Sequence, residues 1–176
     1  MSVKKGLDNL NVKAREKEIN IIKYLFDEFG EPAFRAVQKY HFSTGYQKGF
    51  ELLHNLISTN KFSKNKFWKD PVTGIKKFLT DYFQQRGGNM PQIWSENDTV
   101  YLKTGANVFC VTEEAEKKAL KSHQDICNIY CRSFVEGLIG IFEEIFPGLI
   151  IHFYNVSSRR DEKRSDCVEA FQVKHY

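Results

Sequence analysis

Residues 134–156 read FVEGLIGIFEEIFPGLIIHFYNV, and this stretch decides the fold. Phe134, Leu138, Ile141 and Ile145 fall on one stripe of a helix, and Val135, Ile139 and Phe142 fall on another. A helix apolar over that much of its surface must be covered by more than its own sheet. Either it lies at the heart of the domain or it meets a second subunit. Pro147-Gly148 stops it. Leu149 to Val156 follows, apolar on both faces apart from His152 and Asn155, and this predicts a buried central strand.

Outward from that core, the period changes twice. Cys167 to His175 predicts the last strand, with Cys167, Phe171 and Val173 alternating with more polar neighbours. Gln92 to Trp94 and Thr99 to Lys103 predict two strands around the turn Ser95-Glu96-Asn97-Asp98, and Val108 to Val111 a further short one. Thr112 with Glu113 and Glu114 marks the start of the helical run that ends at Phe146.

The first half is helical. Ile19, Ile22, Leu25, Phe26 and Phe29 give helical spacing over Val12 to Phe29. Gly30 ends that helix and Pro32 opens the next, expected over Ala33 to Tyr40. Thr44 paired with Gln47 fits a capping box and predicts a third helix to about Ile57. On it Gly45 and Gly49 lie one turn apart, where another backbone can approach. Residues 58 to 74 form a connecting segment, and Ile75 to Gln85 a further helix. The seam at Gly87-Gly88 and Pro91 does not divide the chain into two domains. The expectation is therefore one α+β domain over 1–176. Its helical half, 1–90, precedes a ββαββ half, 91–176, whose four-stranded antiparallel sheet has helices packed on one side.

Composition narrows the function classes. Charged residues make up 27 % of the chain and hydrophobic residues 41 %, which is globular rather than disordered. Aromatics reach 14 %, which suits a bulky core, an apolar cavity or an interface. No run of about 18 apolar residues exists, so no membrane span is expected. The opening residues carry charge but no apolar stretch, so the cytoplasm is the expected location and the cysteines are expected as thiols or metal ligands. Six lysines lie between Lys61 and Lys77 with Phe62, Phe67 and Trp68 among them. We read this stretch as a solvated surface over a few anchoring side chains rather than as a nucleic-acid groove.

The chemistry-bearing candidates are few. Cys127 and Cys131 share a helical face, Cys110 ends a strand and Cys167 begins one. A sheet that gathers all four at one end would make a tetrahedral thiolate site suited to zinc. The competing reading is that each is a small buried apolar residue. His152 interrupts an apolar strand and is a candidate to point into a cavity. No phosphate-binding glycine loop and no Gly-x-Ser-x-Gly elbow is present.

The stretch Cys127-Asn-Ile-Tyr-Cys131-Arg-Ser-Phe-Val-Glu-Gly137-Leu-Ile-Gly140, then Pro147-Gly148, a strand, a polar loop and Cys167-Val-Glu-Ala-Phe, resembles the 4-vinyl reductase domain family. The resemblance covers roughly residues 108 to 173. It implies a TRAPP-like ligand-binding fold, a small hydrophobic ligand and, in some members, a zinc site near the pocket. Cys131 and Cys167 match the first and last zinc-ligand positions. The intermediate cysteine falls near Ser157 or Ser158 and the acidic ligand near Tyr154 or Asn155, with Cys127 and Cys110 as the available substitutes. A more diffuse resemblance, through Phe29-Gly30-Glu31-Pro32-Ala33 and the C-terminal cysteines, is to aminothiazoline carboxylate hydrolase-like proteins.

Three functions follow as expectations. The leading one is a homodimeric module binding a small hydrophobic molecule, with Phe134, Leu138, His152 and Tyr154 in contact with the ligand. Its rivals are a hydrolase of a small cyclic amide or thiazoline, using a cysteine or a metal-bound water, and a protein–protein scaffold.

Overall fold

A computed structural model describes residues 3–86, 90–105, 131–157 and 166–175. Four helices come first: α1 (Val3–Phe29), α2 (Glu31–Ser58), α3 (Lys64–Lys69) and α4 (Pro71–Arg86). Then follow β1 (Gln92–Glu96), β2 (Thr99–Gly105), α5 (Ser133–Ile145), β3 (Leu149–Ser157) and β4 (Asp166–His175). The strands form one antiparallel sheet in the order β1-β2-β4-β3. Mixed α and β structure, with helices first and a four-stranded antiparallel sheet, is thus as the sequence predicts. The short strand expected over Val108 to Val111 and the helix start at Thr112 lie outside the described residues.

The helix α5 lies between α2 and the sheet, which accounts for its two apolar stripes. Gly45 and Gly49 of α2 face it edge-on. A Cβ built on Gly45 would sit on the Phe134 carbonyl oxygen, and one on Gly49 on that of Leu138. Reciprocally, a Cβ on Gly137 of α5 would sit on the Phe42 carbonyl oxygen of α2. Three positions without side chains therefore set how close the two backbones come. The stripe turned away from α2 carries Val135, Ile139 and Phe142, all buried. Phe142 and Phe146 join Phe62, Phe67 and Phe78 in an aromatic cluster, with Phe67 and Phe146 stacked at a centroid distance of 4.2 Å.

Several local expectations change. Residues 31–58 form one helix, not two. Thr44 caps nothing: its hydroxyl donates to the Tyr40 carbonyl one turn back, at 2.9 Å. Gln47 in turn donates to Glu51. A Thr inside a helix can satisfy itself this way, so the Thr-Gln pair mimics a cap without making one. The connecting segment contains α3, whose N-cap is Ser63, and α3 delivers Phe67 to the core beside Phe62. The lysines around them are largely exposed. At the first turn, β1 runs on to Glu96, so the hairpin loop shrinks to Asn97 and Asp98, with Asn97 at φ 52°.

Among the described residues the strand β3 lies at an edge of the sheet, not in the buried central place expected. Its partner on one side is β4, and Ile150, Tyr154 and Val156 on it are exposed. Its apolar run is covered on the α5 side alone. The central place goes to β4, paired with both β2 and β3. Glu143 of α5 caps part of the open edge, accepting a hydrogen bond from the Ile151 N–H at 2.7 Å.

The glycine contacts separate packing from propensity. Gly45→Ala and Gly137→Ala are expected to lose roughly 3 kcal/mol, the top of the overpacking range. Gly140 is the control, because a Cβ there meets nothing nearer than the Phe42 ring tip at 3.8 Å. Gly140→Ala is expected to gain about 0.8 kcal/mol from helix propensity. Urea unfolding of the three variants beside the parent checks both signs.

Candidate functional site

Register assigns each strand residue to a face. Arg132, at the start of α5, lies with its guanidinium 4.9 Å from the Phe153 ring centre. Phe153 in turn pairs with Phe171, their ring centres 5.0 Å apart. Odd-numbered residues of β4 therefore face α5, as do Val100, Leu102 and Thr104 of β2, their register partners.

The interface between α5 and the sheet has two unlike ends. One end is the aromatic cluster around Phe142 and Phe146. The other is polar. There Glu169 lies opposite Leu102 on β2, and Cys167 opposite Thr104, all four facing inward and buried. Cys131 and Ser133 are buried at the same end, where α5 begins. Arg132 and Glu136 close it as a half-buried ion pair, Nε to Oε1 at 3.4 Å. Ser157, past the irregularity in β3, keeps a buried hydroxyl with no hydrogen-bond partner among the described residues.

Glu169 is the unusual member. Burial pushes its carboxyl from the ordinary 4.5 up to about 8, with Cys167 and Glu136 adding to the rise and Arg132 opposing it. At neutral pH it is therefore mostly a neutral acid. Such a group can donate a hydrogen bond as well as accept one. Glu169 is not among the candidates the sequence suggests, although a signal is there: Glu169 shares its parity with Cys167, Phe171 and Val173, the residues assigned to the core face. In an alternating strand, a carboxylate in phase with the apolar set must be buried.

The residues expected to bind ligand do not converge. Phe134 and Leu138 lie on the α2-facing stripe of α5, where their carbonyls meet the glycines. His152 and Tyr154 are exposed on the outer face of the sheet, in register with Gln172 and Ala170. The sheet stands between the two pairs. Of the four cysteines, Cys110 and Cys127 lie outside the described residues. Cys131 and Cys167 are buried thiols at the polar end. Among the described residues no group of three or more His, Cys, Asp or Glu side chains is placed to hold a metal ion. No described helix is long and apolar enough to cross a membrane.

With this geometry in hand, comparison with known proteins adds no relative: the chain matches no family model, no curated protein and no solved structure.

The Glu169 carboxyl makes stability pH-dependent. The folded state holds its proton up to about pH 8 and the unfolded state only to about 4.5. Stability is thus unpenalised below 4.5 and falls as pH rises, until the full cost is reached above about 8. Glu169→Gln removes that slope. The difference between variant and parent, followed by urea unfolding from pH 4 to 9, is expected to grow by on the order of 5 kcal/mol. Equal curves would mean that Glu169 titrates normally.

Proposed function

We propose that the chain is a small-molecule-binding module, of the TRAPP-like, 4-vinyl reductase type that its C-terminal half resembles, and that its ligand meets the polar end of the α5–sheet interface. The observation that carries this reading is Glu169. A carboxyl buried in a packed interface destabilises a fold that an apolar residue there would stabilise. Perturbed titratable groups of this kind concentrate at binding and catalytic sites. A neutral acid beside the Cys167 thiol and an aromatic-capped arginine suits a mainly apolar molecule bearing a carbonyl or hydroxyl group. The apolar body would then continue the surface of Leu102, Phe153 and Phe171.

A second reading draws on Cys167. Its thiol stands two residues from Glu169 on the same face, so an acid and a nucleophile adjoin, as hydrolysis of a small cyclic amide or thiazoline requires. Zinc would need more than the described residues supply. Cys131 and Cys167 are two thiols, and a closed tetrahedral set would have to draw on Cys110 and Cys127.

Native mass spectrometry of the purified protein, followed by a thermal-shift screen of apolar carbonyl and hydroxyl compounds, separates these readings. Binding is expected to raise the melting temperature of the parent, and Glu169→Leu is expected to weaken affinity by at least about tenfold while leaving the fold intact. No co-purifying molecule and no shift across the screen would sink the binding module. Turnover of thiazoline compounds lost in Cys167→Ser would favour the hydrolase. Stoichiometric zinc lost in Cys131→Ser would add the metal.

A further inference from the structure

Among the described residues, the helix α1 buries one face against α2 and leaves Ile21 and Tyr24 exposed on another. Ile19 and Ile22 are buried, and Phe26 sets its ring edge-on to Phe34 of α2 at 5.9 Å. His41 of α2 comes within 3.7 Å of Glu18. These contacts fix which side of α1 faces the rest of the domain. At about 100° per residue, Ala14, Lys17, Ile21, Tyr24 and Glu28 fall on the opposite side. There Ile21 is 58 % exposed and Tyr24 62 %. A helix apolar on two sides with a partner on one is built for a second partner.

The charges along α1 say which partner. On its first half the described charged side chains are Lys13 and Lys17, both exposed. From Glu18 to its end it carries Glu18, Asp27 and Glu28 against Lys23. The first half is basic and the second acidic. Such a helix is complementary to a copy of itself laid antiparallel, and a two-fold axis places the same patch on both subunits. With the axis between Asn20 and Ile21, Lys17 stands opposite Tyr24 of the second copy and Lys13 opposite its Glu28. Ile21 meets its own copy near the axis. Lys13, Lys17 and Glu28 are all exposed in the single chain. With that axis residues 12–29 of the two copies overlap, a seam about 27 Å long.

We infer that this face of α1 is a dimer interface, and that its occupant is α1 of a second copy of the chain, antiparallel and related by a two-fold axis. Analytical ultracentrifugation of the full chain tests it. The parent is expected to sediment as a dimer of twice 20.6 kDa. Ile21→Asp with Tyr24→Asp is expected to raise the dissociation constant at least about a hundredfold while helical circular dichroism is kept.

Charge reversal supplies a second arm that does not depend on the apolar pair. Lys13→Glu with Lys17→Glu is expected to weaken the dimer about tenfold, and adding Glu28→Lys to recover most of the loss. A monomeric parent, or a dimer indifferent to Ile21→Asp with Tyr24→Asp, overturns the inference. So does a monomer that co-sediments with vesicles of anionic phospholipid, because the face would then serve a membrane surface.

Discussion

The approach of α2 to α5 is the constraint on which the rest of the molecule depends. A helix pair normally stands 8–10 Å apart, its spacing set by the side chains at the contact. Here Gly45, Gly49 and Gly137 remove those side chains, and each backbone lies against carbonyls of the other. The gain is contact between two rigid elements, where dispersion is summed over many atoms. The cost is conformational freedom lost at each glycine, about 1 kcal/mol against alanine. That cost is recovered only if the helices meet in one register. The register then fixes the rotation of α5, and the rotation decides which residues the sheet receives.

From that rotation the two ends of the interface follow. Phe142 and Phe146 are carried to one end, where α3 and α4 bring Phe67 and Phe78 to meet them. Arg132 and Glu136 are carried to the other, above Phe153 and Glu169. The aromatic end supplies burial out of proportion to its length, since each large ring removes a wide apolar area from water. The polar end contributes little of this and carries a carboxyl that opposes folding at neutral pH. A fold can keep such a group when the remaining core outweighs it.

How much of this was legible in the residues depended on period rather than on propensity. The double stripe of α5 was plain from Phe134 to Ile145, because two sets of apolar residues at helical spacing have no other explanation. The paired glycines of α2 announced a close neighbour for the same geometric reason. Strand order was not legible. The Leu149 to Val156 run looks two-sided, and nothing local distinguishes an edge strand with an apolar outer face from a central one. The pairing that decides it joins Val100 to Phe171, far apart along the chain. The Thr44–Gln47 pair misled because a helix interior can use the same hydroxyl that a helix start would. The candidate site was legible in part. Cys131 and Cys167 were singled out and do share an end. His152 and Tyr154 stand on a strand whose facing no local signal settles, and their even parity carries them to the outer surface. Glu169 is legible only by its phase, since its charge alone suggests a solvated side chain.

The placement of the acid also says why the domain tolerates it there. Glu169 sits on β4, the strand held from both sides, so its backbone hydrogen bonds are made whatever the side chain does. On the edge strand β3 a buried charge would add to unpaired backbone groups, and the N–H of Ile151 already needs Glu143 to satisfy it. The central strand, at the end away from the aromatic cluster, is the position where a titrating side chain disturbs packing least. It is also where the Cys167 thiol, two residues away on the same face, adjoins it. A polar cluster confined to the rigid middle of a sheet keeps its geometry through a change of protonation, and that is what recognition of a hydrogen-bonding ligand requires.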